Sequence, residues 1–137
     1  MPVKDLFPHG KRFVISAWRD DGEETTATED FIFSLIEARN PDAEALLYEL
    51  EKTSNHGPSQ NKQKFRYLTG TGQGLIEFKA RKGSRVLGFI DSDRRRIVCS
   101  HGIPKLKDKR FEREMEKAND IRNAYLIETM EEGKYVT

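Results

Sequence analysis

Residues 74–109 read GLIEFKARKGSRVLGFIDSDRRRIVCSHGIPKLKDK, and the fold is decided in this stretch. Three runs, Leu75–Arg81, Arg85–Ser92 and Arg95–Ser100, carry β-branched and aromatic residues and are separated by Lys82-Gly83 and Asp93-Arg94. Short polar breaks between such runs signal hairpins, so an antiparallel meander ending in a basic loop is expected. Alternate side chains of a strand point to opposite faces. Ile76, Phe78 and Ala80 therefore predict a buried face, and Glu77, Lys79 and Arg81 an open one. A row of cations on an open sheet face is a platform for anions, and nucleic acid is the commonest large cellular anion.

Working outward, Lys11–Trp18 (KRFVISAW) predicts a first strand, with Phe13, Ile15 and Ala17 on one face. An acidic turn follows, and Thr28 before Glu29 and Asp30 predicts a helix start, because acids in the first turn complement the helix dipole. That helix carries Phe31, Leu35 and Ile36, and Asn40-Pro41 breaks it. A second helix places Leu46, Leu47 and Leu50 on its stripe and stops at Gly57-Pro58. Phe65–Thr69 predicts another strand, and Gly70–Gly74 a hairpin turn, because no helix or Gly-Lys-Ser/Thr follows to make it a phosphate loop. From Phe111 to Glu132 the spacing of Phe111, Met115, Ala118, Ile121, Tyr125 and Leu126 predicts a long closing helix. The expected architecture is one α+β domain, residues 1–137. It has an antiparallel sheet of four to five strands, two N-terminal helices and a C-terminal helix, all three helices covering the Phe78 face.

Charge is segregated along the chain. Residues 79–110 hold eleven Lys or Arg against three Asp, a net of +8, whereas residues 20–52 hold eleven Asp or Glu against two basic residues, a net of −9. The total of +1 conceals this separation, which favours a basic working surface over an evenly solvated one. No apolar run reaches the ~18 residues that span a bilayer, and the N-terminus lacks an apolar leader, so no membrane partner is expected. The single cysteine, Cys99, sits in an apolar run and predicts a core residue in a reducing, cytoplasmic setting.

His9, His56 and His101 are far apart and no CxxC occurs, so neither a metal site nor a cofactor is expected. What remains is a set of cations, His101 and the loop 101–109. Such groups can cleave RNA without a metal: the 2′-hydroxyl attacks the adjacent phosphate, cations stabilise the phosphorane, and a base and an acid move the protons. Lys and Arg are poor bases, so an exposed His101 is the natural proton carrier; a structural histidine at a strand end is the alternative.

The order GLIEFKAR, RVLGFID, RRIVCSHGIPKLKDK and EREMEKANDIRNAYL resembles the RelE/ParE toxin superfamily, in particular HigB-like toxins and their phage-derived relatives. Leu75, Glu77 and Lys79 fit one family motif, with Lys79 standing where Arg is usual. Arg85-Val86-Leu87 fits a second, and His101-Gly102 with Ile103 and Lys105 a third. Glu114, Glu116, Ala118, Arg122, Tyr125 and Leu126 fit a fourth. Gly57-Pro58, Lys64-Phe65, Leu68, Gly70 and Leu75 fit an upstream pattern, so the likeness covers residues 29–127. It implies a type II toxin: a ribosome-dependent mRNA endonuclease that uses the metal-free route and is neutralised by a cognate antitoxin protein. It also implies Lys79, Arg81, Arg85, His101 and Lys105 as catalytic positions, and Lys82, Lys107 and Lys109 as RNA contacts. Two alternatives remain open: a gyrase inhibitor of the same fold, and a non-catalytic phage-derived or regulatory binding module. The acidic segment from Asp20 to Glu29 has no counterpart in this scheme.

Overall fold

The computed structural model describes residues 2–68, 74–106 and 108–134. In chain order these form β1 (Val3–Phe7), β2 (Val14–Trp18), α1 (Ala27–Glu37), α2 (Asp42–His56), β3 (Phe65–Tyr67), β4 (Leu75–Lys79), β5 (Arg85–Asp91), β6 (Arg96–Ile103) and α3 (Asp108–Lys134). The strands lie in one sheet of order β1-β2-β6-β5-β4-β3. The pair β2–β6 is parallel and every other neighbouring pair is antiparallel.

The expected meander β3–β4–β5–β6 is present, but the sheet is six-stranded and mixed, not four- to five-stranded and antiparallel. One difference is β1, a five-residue edge strand between Pro2 and Pro8, too short and interrupted to show alternation. The other is β2. The chain leaves it through two helices, a connection long enough to permit parallel pairing. The meander then brings β6 back alongside it, Val14 opposite Arg96 and Ala17 opposite Cys99.

Phe78 is buried, as the alternation requires, and it joins Ile76, Phe65, Ile15 and Ile97 beneath α1 and α2. The placement of α3 differs from expectation. Met115, Ala118 and Tyr125 pack on the opposite face, against Leu75, Leu87, Phe89, Val98 and Ile103. The sheet is thus sandwiched between helices. The physical cause is a second apolar row: β5 and β6 contain Val86-Leu87, Phe89-Ile90 and Ile97-Val98-Cys99 side by side in sequence. Such runs need cover on both faces. At the point where α1 crosses β6, Gly102 leaves room for the Phe31 ring, which a Cβ there would strike.

Local chemistry sets the helix ends. Thr26, not Thr28, caps α1. Its hydroxyl accepts from the Glu29 N–H at 3.1 Å, and the Glu29 carboxylate accepts from the Thr26 N–H, a capping box. At the start of α2, the Asn40 Oδ1 accepts from the Asp42 N–H at 2.9 Å. Asp42 is itself buried and accepts from the N–H groups of Lys82 (3.1 Å) and Ser84 (3.2 Å). Burial opposes its ionisation, but the bonds from Ser84 and Lys82 win and hold its carboxyl below the usual range. Asp42 therefore fastens the β4–β5 turn to α2.

Candidate nucleic-acid interface

Strand register gathers the basic residues of the meander at one end of the sheet. Lys79 at the exit of β4 lies opposite Arg85 at the entry of β5, and Arg85 lies opposite Ile103 at the exit of β6. Arg81 and Lys82 occupy the turn that Asp42 fastens. Lys105 lies against that turn: a Cβ added to Gly83 would stand 2.9 Å from the Cβ of Lys105. Gly83 has φ +102°, a conformation side chains rarely adopt, so glycine is required there. Helix α3 begins in the same region, its N-terminal amides add partial positive charge, and Lys109 is exposed in its first turn. Arg81, Lys82, Lys105 and Lys109 are exposed and Lys79 is half-buried; none makes an ion pair with a described residue. Lys107 lies outside the described residues.

Glu77, expected on the open face, and Arg85 and His101, expected in the site, are instead covered. Glu77 is fully buried, with Arg66 Nε 2.6 Å from one carboxylate oxygen and Arg85 Nη1 3.6 Å from the other. The Arg85 side chain is only 15% exposed, and its guanidinium lies over the Phe111 ring of α3, 4.7 Å from the centroid. Arg85 therefore joins the sheet to α3. His101 is 3% exposed and points at α3 also. Its Nε2 is 2.6 Å from Glu114 Oε2 and its Nδ1 is 2.9 Å from Ser100 Oγ. Burial, aided by Lys117, lowers the His101 pKa against the opposing hydrogen bond with Glu114. In a neutral ring with its proton on Nε2, Nε2–H donates to Glu114, while Nδ1 faces a Ser100 hydroxyl whose one proton is directed at the Leu87 carbonyl, 3.1 Å away. In this arrangement His101 is occupied structurally.

Arginines at the far end of the sheet are engaged as well. Arg94 pairs with Asp91 at 3.0 Å, Arg96 pairs with Asp5 at 2.6 Å, and Arg95 donates to the carbonyls of Lys11 and Arg12. The Tyr125 hydroxyl donates to Asp91 at 2.6 Å, tying α3 to that end. The basic residues of 79–110 thus divide: Arg85, Arg94, Arg95 and Arg96 are engaged, whereas Lys79, Arg81, Lys82, Lys105 and Lys109 form no ion pair among the described residues. Cys99 is fully buried, and burial pushes its thiol up to about 12, which fits a core residue. Among the described residues no group of three or more His, Cys, Asp or Glu could hold a metal ion, and no helix is long and apolar enough to cross a membrane.

A cleft of about 570 Å³ adjoins the basic end, between α2 and the edge of the sheet. Tyr48, Glu49, Asn61, Lys64, Lys79 and Arg81 line it. The sequence reading passed over Glu49, yet Ala43, Leu46, Leu50 and Thr53 share its helix face at three- and four-residue spacing. An acid on that stripe was the available signal. Asp42 and Glu114 carried no such signal, since their partners come from distant segments. No family model, curated protein or solved structure matches the chain.

Proposed function

We propose that this chain acts on RNA at the basic end of its sheet, as a toxin of the RelE/ParE type working on ribosome-bound mRNA in the cytoplasm. The observation that carries the reading is the convergence of Lys79, Arg81, Lys82, Lys105 and Lys109 from three strand ends and one helix start, without acidic partners among the described residues. The order of the sequence motifs supports it. In the proposed reaction the 2′-hydroxyl oxygen attacks the adjacent phosphorus, and the bond to the 5′ oxygen of the next nucleotide breaks. A 2′,3′-cyclic phosphate and a 5′-hydroxyl result. Arg81, Lys82 and Lys105 hold the phosphates and offset the charge of the phosphorane. A cognate antitoxin protein would neutralise the same cations.

One observation favours a second reading, a non-catalytic binding module: His101 and Arg85 are both held by α3. The nuclease reading requires Glu114 to release Nε2 of His101; the binding reading requires nothing of it. Induction of the chain alone, with mapping of mRNA ends, separates them. Cleavage within translated codons, leaving 2′,3′-cyclic phosphates, is expected, and a 2′-deoxy nucleotide at the cut should block it. Growth arrest without new mRNA ends would favour the binding module; normal growth and translation at high expression would refute the toxin.

A further inference from the structure

The acidic turn after β2 takes no part in the basic end, and it borders a groove of its own. Three adjoining hollows of about 340, 290 and 350 Å³ lie between this turn and α3. The first two share Trp18, Asp20 and Ala124, and the last two share Arg19, Asp20, Asp21 and Glu128, so they run together. Lys117, Asp120, Ile121, Ala124, Ile127 and Glu128 form the α3 wall. Recurring at three and four residues, they make one helix face about 16 Å long. It is not the face on which Met115, Ala118 and Tyr125 meet the sheet. Trp18 stands in the opposite wall, its indole N–H donating to Asp20 at 3.2 Å.

We propose that this groove docks a basic amphipathic helix of a partner protein, an inference independent of the RNA reading above. Its apolar floor is open to solvent: Ile121 and Ala124 are half-buried and Ile127 is 61% exposed, so covering them is favourable. The rim selects the partner's charge. Asp20, Asp21, Glu23, Asp120 and Glu128 stand against Arg19 and Lys117, and none of these acids forms an ion pair among the described residues. Cations flanking an apolar stripe complement such a rim. The backbone selects a helix. Strand β2, which carries Trp18, is paired with β1 on one side and β6 on the other, so it offers no edge for an extended segment to join. A segment in the groove has to satisfy its own N–H and C=O groups, as a helix does. A second copy of this chain does not supply that chemistry. Its exposed apolar helix residues stand among acids, Phe33 and Ile36 beside Asp30 and Glu37 on α1, Ile127 and Met130 beside Glu128 and Glu131 on α3. Helix α2 exposes only Tyr48 and has no stripe.

Trp18 is the only tryptophan of the chain and lines the groove, so its emission reports occupancy directly. Tryptophan-free peptides of about 15 residues, long enough to hold helix in water, serve as probes on the full-length chain. One carries a Leu stripe flanked by Lys and Arg, a second the same stripe flanked by Glu, and a third the composition of the first in scrambled order. The first should shift Trp18 emission to the blue and bind at least roughly tenfold more tightly than the other two. Ile127→Ser, and separately Asp120→Lys with Glu128→Lys, should each weaken that binding roughly tenfold. All three positions are exposed, so the fold should hold, with circular dichroism as the check. A scrambled peptide that binds as well as the first would mean charge alone and would overturn the groove. So would an acidic peptide of equal affinity, or a basic helical peptide that leaves Trp18 emission unaltered on the unaltered chain. Self-association in sedimentation runs that Ile127→Ser abolishes would assign the groove to a second copy and overturn the partner.

Discussion

Neutralising the basic end should change the salt dependence of RNA binding, and neutralising the far end should not. Single-stranded nucleic acid releases counterions so that log K falls with log salt by about 0.7 for each phosphate contacted. Five described cations, Lys79, Arg81, Lys82, Lys105 and Lys109, carry no ion pair with a described residue. If each meets one phosphate, the slope is about −3.5, and a fourfold rise in salt weakens binding roughly a hundredfold. The double substitution Arg81→Ala with Lys105→Ala should bring the slope to about −2.1 and the loss to roughly twentyfold. Arg94→Ala and Arg95→Ala should leave the slope unchanged, because these side chains are bound to Asp91 and to the Lys11 and Arg12 carbonyls. Fluorescence anisotropy of a labelled ten-nucleotide RNA over a salt series measures all four slopes, with circular dichroism checking the fold. Equal slope changes from the two ends would mean a diffuse charge effect and would refute an interface at the β4–β5 turn.

Glu77→Ala should destabilise the chain by about 3 kcal/mol in urea unfolding, since it leaves Arg66 and the largely buried Arg85 without their shared carboxylate; a loss below about 1 kcal/mol would show the triad to be dispensable. Phe78→Ala should cost about 3–5 kcal/mol, the usual cost of removing a fully buried ring, and the same unfolding curves measure it. His101 gives a pH dependence of definite sign. Its folded pKa lies below the ordinary value of 6.5, so the unfolded chain binds a proton first. Stability should therefore be flat in this respect above about 6.5 and fall as pH drops from there toward the folded pKa, and His101→Gln should remove that component. A variant with the unaltered pH slope between 6.5 and 5 would show that the histidine is not held neutral.

Much of the fold follows from local patterns. Alternation from Leu75 to Lys79 assigns Phe78 to the core and Lys79 away from it, and the helical stripes are legible in part: Leu35, Leu46, Leu50, Met115, Ala118 and Tyr125 are buried, but Ile36 and Leu126 are exposed and Ile32 takes the inward place on α1. The hairpin breaks at Lys82-Gly83 and Asp93-Arg94 set the direction of β4, β5 and β6, and with it the convergence of the basic ends. Alternation says which residues share a face, but not what lies over that face. Of the expected open row only Glu77 is fully buried, Lys79 is half-buried and Arg81 stays exposed, while the packing of α3 on the second face encloses His101 with Glu114 and lays Arg85 on Phe111. Nor does a charge count distinguish an arginine with a partner from one without. The far-end arginines met Asp91, Asp5 and backbone carbonyls, while the side chains of Lys79, Arg81, Lys82, Lys105 and Lys109 form no ion pair among the described residues. Those pairings join segments up to 91 residues apart, and only the folded chain brings such segments within reach of one another.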